Sequence, residues 1–170
     1  MTDSDFRDAF SAHKDVLYRF VYRMTGQPDG ADDIVQESFL ALWRKPSAYS
    51  AARGTLRAFL LGIARNLVLK RWRDHHPHDD LDDECWACEP VDLVGYERAE
   101  LVARAVQLLP PLQREALILA EYEELSLGEI AAATEAPLSA VKSRLHRART
   151  NLRRTLLPLF AEKGLPHGTR

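Results

Sequence analysis

The chain has 170 residues, 46% of them hydrophobic, and a formal net charge of −2 at pH 7. This is enough apolar content for one or two small cores, and no apolar run reaches membrane-spanning length, so no membrane insertion is expected. The start of the chain shows no signal peptide and the two cysteines lie too close together to staple distant segments, which points to a cytoplasmic protein.

Phe6, Phe10, His13, Leu17, Phe20, Val21 and Met24 recur at helical spacing and predict a first amphipathic helix. The run Gly26-Gln27-Pro28-Asp29-Gly30 stops it. Asp29 can cap a second helix, and Asp32 and Asp33 in its first turn complement the helix dipole. Val35, Phe39, Leu42 and Trp43 form the apolar stripe of that helix, and Pro46 ends it. Residues 47–54 read as a polar loop. Thr55 can cap a third helix that runs to about Arg73 and buries Leu56, Phe59, Leu60, Ile63 and Leu67. The opposite side of this helix holds Leu61, Arg65, Val68 and Trp72. That is more apolar than a solvated face, so either more protein covers it or it is a partner-binding surface.

Residues 76–98 differ in kind. Asp79, Asp80, Asp82, Asp83 and Glu84 nearly adjoin, and no Lys or Arg occurs before Arg98. Such a run favours a solvated, flexible tether between two helical units. It contains Cys85 and Cys88, preceded by His75, His76 and His78. Two thiolates with His76 and His78 could hold zinc tetrahedrally, and a CxxC pair could also be a redox switch. The spacing fits no standard zinc finger, and two unligated thiols in a loop explain it as well, so the expectation is no cofactor.

Leu101, Ala105, Leu108 and Leu109 open a second unit as a helix, Pro110-Pro111 breaks it, and Leu112 to Tyr122 form another. Ser126 and Glu129 then have capping-box spacing ahead of a short helix with Leu127, Ile130, Ala131 and Thr134 on one face. Pro137 forces a break, after which Ser139 can cap a last helix. Val141, Leu145, Ala148, Leu152 and Leu156 form its apolar stripe. Ser143, His146, Arg147, Thr150 and Arg154 point the other way, flanked by Lys142 and Arg144. A helix-turn-helix with one buried stripe and one cationic face suits the major groove, where Lys and Arg meet phosphates and guanine edges. A merely solvated charged face is the competing reading; the near absence of acids from Ala136 to Arg154 weighs against it. The fold class expected is all-α, two small helical domains.

The run EIA, the turn with Pro137 and the run AVKSRLHRAR resemble region 4 of bacterial sigma factors, which reads the −35 promoter element. LPPLQREALIL resembles the start of that region. DGADDIVQESFLALWR resembles sigma region 2.2, and TLRAFLLGIARNLVLKRWR resembles regions 2.3 and 2.4. The short length and the lack of a segment between regions 2 and 4 resemble the extracytoplasmic-function group. The resemblance implies region 2 over residues 1–75, an acidic linker over 76–98, region 4 over 99–160 and a frayed tail over 161–170.

The resemblance also implies the contacts. Asp33, Gln36 and Glu37, with Phe39 and Trp43, match the motif that binds RNA polymerase core through its β and β′ subunits. Asn66, with Arg65, Lys70 and Arg73, matches the −10 recognition segment, and the 47–54 loop matches the one that captures an unstacked promoter base. Ser139, Lys142, Ser143, Arg144, His146 and Arg147 fall on the −35 helix. The family usually has Gly where this chain has Glu135, which departs from the pattern at the end of the first helix of the motif. The function implied is a non-enzymatic transcription initiation factor that binds promoter DNA and is controlled by an anti-sigma partner. Two other readings stand beside it: a stand-alone helix-turn-helix regulator with an N-terminal sensor domain, and a metal-dependent enzyme built on the His/Cys stretch.

Overall fold

Helix α1 (Asp3–Thr25) starts at a capping box: Thr2 Oγ1 accepts from the Asp5 amide and the Asp5 carboxylate accepts from the Thr2 amide. It ends at Gly26, whose left-handed backbone (φ 72°) closes the last turn. The structure is a computed structural model and describes residues 2–77, 81 and 97–162. Helix α2 (Ala31–Arg44) follows after a short turn. Its N-cap is Gly30 rather than the expected Asp29. Gly30 is left-handed (φ 79°), makes no side-chain cap, and lies so close to Arg71 that an added Cβ would stand 2.7 Å from Nη1. That arginine donates to the Gly30 carbonyl at 3.0 Å and ties the start of α2 to α3.

The 47–54 loop contains two single 3-10 turns, Pro46–Ala48 and Ala51–Arg53. Helix α3 (Leu56–His75) is capped by Thr55 as expected. Helix α4 (Arg98–Gln107) opens the second unit. Helix α5 (Pro111–Leu117) starts with proline at its first position and runs on into a π turn, Ile118–Tyr122. Helix α6 (Leu127–Thr134) carries the capping box of Ser126 and Glu129, whose hydrogen bonds from Ser126 hold the Glu129 carboxyl below its ordinary pKa. Helix α7 (Leu138–Glu162) begins one residue after Pro137, so Ser139 lies inside its first turn and is not its cap. The helix continues through Pro158 to Glu162. Among the described residues there is no strand, and the all-α expectation holds.

Helices α1, α2 and α3 pack on one another, and α4, α5 and α6 pack around α7. The two groups also pack together, α3 on α6 and α1 on α4 and α5. One apolar core therefore runs through both, from Leu17, Phe20 and Leu60 to Ile118, Ile130 and Val141. This decides the odd face of α3. Leu61 and Val68 are buried and Trp72 half-buried, so the stripe is covered within the chain and is not an exposed partner surface. The close approach is possible because residue 62 is glycine: a Cβ there would stand 2.8 Å from the Ala133 carbonyl oxygen of α6.

Between α6 and α7, Glu135 occupies the left-handed region (φ 51°, ψ 34°). The helix-turn-helix bend is thus kept, with a residue that is strained there by roughly 1–2 kcal/mol where glycine is not. Glu135→Gly should raise stability by about 0.5–1 kcal/mol after the entropy of the added glycine, a rise of roughly 1–4 °C in the melting temperature. Thermal unfolding followed by circular dichroism checks this, and an unchanged or lower midpoint would show that the turn is not strained.

Candidate functional site

On α2, Asp33, Gln36 and Glu37 are all exposed and lie on one outward ridge, three and four residues apart. Leu40 and Trp43 are large apolar side chains left 45% and 42% exposed on the same helix. Phe39 behaves differently. It is buried and packs on the rings of Phe6 (6.1 Å) and Phe10 (4.8 Å), while Phe6 meets Trp43 edge-on at 5.0 Å. Phe39 therefore supports the ridge from beneath, whereas Trp43 can touch a partner.

On α3, Asn66, Lys70 and Arg73 are exposed, but Arg65 is not free. Its Nε donates to Glu115 Oε2 at 2.6 Å and its Nη2 to Glu115 Oε1 at 3.0 Å, a bidentate pair with α5. Its Nη1 donates to Asn66 Oδ1 at 2.9 Å, which orients that amide. Asn66 borders a cavity of about 190 Å³ lined by Tyr49, Ser50, Arg53 and Phe59 on one side and Ala133 and Glu135 on the other. The Tyr49 and Phe59 rings lie 5.6 Å apart. The 47–54 loop thus supplies an aromatic and a cation beside Asn66. A tyrosine and an arginine in an otherwise polar loop were the available signal for Tyr49 and Arg53.

On α7, Ser139, Lys142, Ser143 and His146 are exposed. Arg147 is half-buried and folds back along its own helix, where Nη2 donates to Ser143 Oγ at 3.0 Å. Arg144 turns inward towards α5 of its own unit: its side chain is only 16% exposed and its Nη1 lies 4.0 Å from Glu115 Oε1. The structure therefore gathers Arg65 and Arg144, expected on separate DNA-reading segments, around one carboxylate. Sequence reasoning missed Glu115, because it sits within an apolar run and reads as a helix-surface acid.

Of the zinc candidates, Cys85, Cys88 and His78 lie outside the described residues. His76 stacks on Trp72 at 4.7 Å at the end of α3. Among the described residues no group of three or more His, Cys, Asp or Glu side chains is placed to hold a metal ion.

Two family models match, Sigma-70 region 2 over residues 9–77 and Sigma-70 region 4 over residues 99–152. The chain is similar to the ECF RNA polymerase sigma factor SigW of Bacillus subtilis (strain 168), with 31% identity covering 91% of this chain and 90% of that one. The chain belongs to the ECF sigma factors. It is also 32% identical to the ECF RNA polymerase sigma factor EcfG of Rhodopseudomonas palustris (strain TIE-1), over 99% of this chain and 94% of that one. Among solved structures it resembles the sigma factor RpoE of Bartonella quintana, in a crystal with the anti-sigma factor NepR (TM-score 0.68, 28% identity, 90% of this chain and 97% of that one). It resembles equally CnrH in complex with the cytosolic domain of CnrY (TM-score 0.68, 25% identity, 92% of this chain and 90% of that one).

The separate placements of Phe39 and Trp43 in this sigma factor can be told apart by stability. Phe39→Ala should cost about 3–5 kcal/mol through the cavity it leaves. Trp43→Ala, with a half-solvated ring, should cost much less. Urea unfolding of both variants checks the order, and equal losses would show that the Trp43 ring belongs to the core.

Proposed function

We propose that the chain is a promoter-specificity subunit: it binds RNA polymerase core through α2, engages the −10 element through α3 and the 47–54 loop, and reads the −35 element through α7. The observation that carries this reading is the exposed ridge of Asp33, Gln36 and Glu37 beside Trp43, on a scaffold that matches region 2. In this reading Asn66, Lys70 and Arg73 meet the −10 segment together with Arg65. Ser139, Lys142, Ser143, Arg144, His146 and Arg147 meet the −35 segment. The domains are region 2 over 1–75 and region 4 over 99–160. The chain carries out no catalysis of its own, works in the cytoplasm and invokes no cofactor. Solved relatives carry anti-sigma partners, which supports control by such a protein here. Among the described residues no helix is long and apolar enough to cross a membrane.

Run-off transcription with purified polymerase core tests the reading directly: added protein should start transcripts at its own promoters, and core alone should not. Asp33→Arg should weaken capture by core polymerase while the circular dichroism spectrum stays unchanged. Retained capture would remove the α2 assignment.

The two classes of contact on α7 separate in a −35 mutant library read with holoenzyme. Arg147 can rotate off Ser143 and bond guanine O6 and N7 together, a contact worth about 1–3 kcal/mol of discrimination. Arg147→Ala should therefore relax preference at one or two base positions. Lys142→Ala should weaken all promoters alike and lower the slope of log affinity against log salt by about one unit. If Arg147→Ala scaled every promoter equally, Arg147 would be a phosphate contact.

A further inference from the structure

We propose that the Gln113–Asn151 pair is a specificity device: it fixes the rotation of α7 about its own axis, and so decides which bases of the −35 element Arg147 reads. Both members belong to the second unit, and neither is placed on DNA or polymerase. They are positioning residues that act through Arg147. The inference rests on the reading that α7 enters the −35 major groove.

The apolar stripe that seats α7 does not set its rotation alone. Val141, Leu145 and Ala148 are buried, whereas Leu152 is only half-buried. Burial of aliphatic groups is non-directional, so a small turn of the helix costs such contacts little. The directional ties come from the flanks. On the flank between the stripe and Arg147, positions 144 and 151 lie seven residues, or two turns, apart on one line. There Asn151 Nδ2 donates to Gln113 Oε1 at 2.8 Å, and Arg144 Nη1 lies 4.0 Å from Glu115 Oε1. On the opposite flank Arg149 Nε donates to Glu121 Oε1 at 3.0 Å. Gln113, Glu115 and Glu121 all belong to α5 and the π turn that continues it. One segment therefore holds the recognition helix from both sides.

The three ties differ in what they can fix. Arg149 and Glu121 are both exposed, and an ion pair of that kind holds little. Arg144 stands at the outer limit of an ion pair with Glu115. The amide pair is short and oriented at both ends. Gln113 is 1% exposed within α5. Asn151 Oδ1 accepts from Arg154 Nη2 at 2.8 Å, which presents its Nδ2 to Gln113. A buried amide oxygen with one well-placed donor favours one register, because turning the donor away leaves it unpaired and out of reach of water. Arg147 stands one turn before Asn151 on the same side of the helix. A rotation of about 20° moves groups at the helix rim, about 5–6 Å from the axis, by about 2 Å. A binding constellation tolerates only about 0.5 Å. The guanidinium of Arg147 would then leave its guanine edge.

The test uses the full chain in holoenzyme with a −35 promoter library. The Gln113→Leu, Asn151→Leu double variant replaces both partners by apolar groups of similar size, a change that is close to neutral for stability. Its melting temperature should stay near that of the wild type, and its capture by core polymerase should be unchanged. Its discrimination at the one or two base positions read by Arg147 should fall about fivefold or more, and adding Arg147→Ala should lower it no further. The swap Gln113→Asn, Asn151→Gln keeps the hydrogen bond and the summed length of the two side chains, and should restore the preference. Asn151→Ser shortens only the half-exposed partner and should relax the preference likewise, so the idea is tested even if the leucine variant unfolds. Folded variants with the wild-type −35 preference would overturn the role of the pair. So would a uniform loss across the library, which would make the pair merely structural. A wild type with no −35 preference would overturn the reading of α7, and the proposal with it, before any variant is compared.

Discussion

Helix α5 is buried along its whole length, yet three consecutive residues in it are polar: Gln113, Arg114 and Glu115. Buried polar groups are tolerated only where partners replace their water. The rest of the molecule supplies partners to all three side chains, although Arg114 Nε finds none. Gln113 Oε1 accepts from Asn151 Nδ2 of α7 at 2.8 Å. Arg114 donates to the Met24 carbonyl at the end of α1 and to the carbonyls of Gln107 and Leu109 where α4 turns into α5. Glu115 takes Arg65 of α3. Three adjacent side chains thus tie one short helix to four others. Burial pushes the Arg114 pKa down to about 10, which still leaves the guanidinium charged near neutral pH.

The seam between the two units shows the same logic in miniature. Residues that approach closely across it are small: Gly62 on α3 and Ala133 on α6. Where they leave space, charges fill it, with Arg57, Arg65 and Arg23 on one side and Glu123 and Glu115 on the other. His13 is also drawn into this region, and its pKa is lowered by burial and then by Arg57. Region 2 thus presents cations and the α5–π segment and its cap present anions, beside an apolar core that is continuous across the seam.

The two faces of region 2 are treated differently by this arrangement. The ridge of Asp33, Gln36 and Glu37 on α2 stays open to solvent, with Trp43 beside it. The face of α3 near Arg65 and Gly62 is covered by the second unit. A partner that docks on α2 meets no obstacle, while one that needs α3 must displace α5 and α6. On the proposed function, polymerase is therefore met first and promoter DNA second.

The amino-acid sequence by itself determined the helices and their ends, because these depend on local chemistry: apolar spacing, the capping boxes, Thr55, and the breaks at Pro46, Pro110 and Pro137. It also determined the family, through motifs that are contiguous on single helices, and those motifs named the candidate contacts. Local pattern erred only where backbone conformation chose between neighbours. Gly30 rather than Asp29 heads α2, because Arg71 reaches in from α3, and α7 starts at Leu138 rather than after a Ser139 cap. The tertiary structure alone decided what covers the apolar back of α3, which ring of α2 is core and which is surface, and which acid each arginine meets. Arg65 and Glu115 are fifty residues apart in the chain, and no local period links them; their pairing exists only because Gly62 lets α6 close on α3 and so brings α5 within reach.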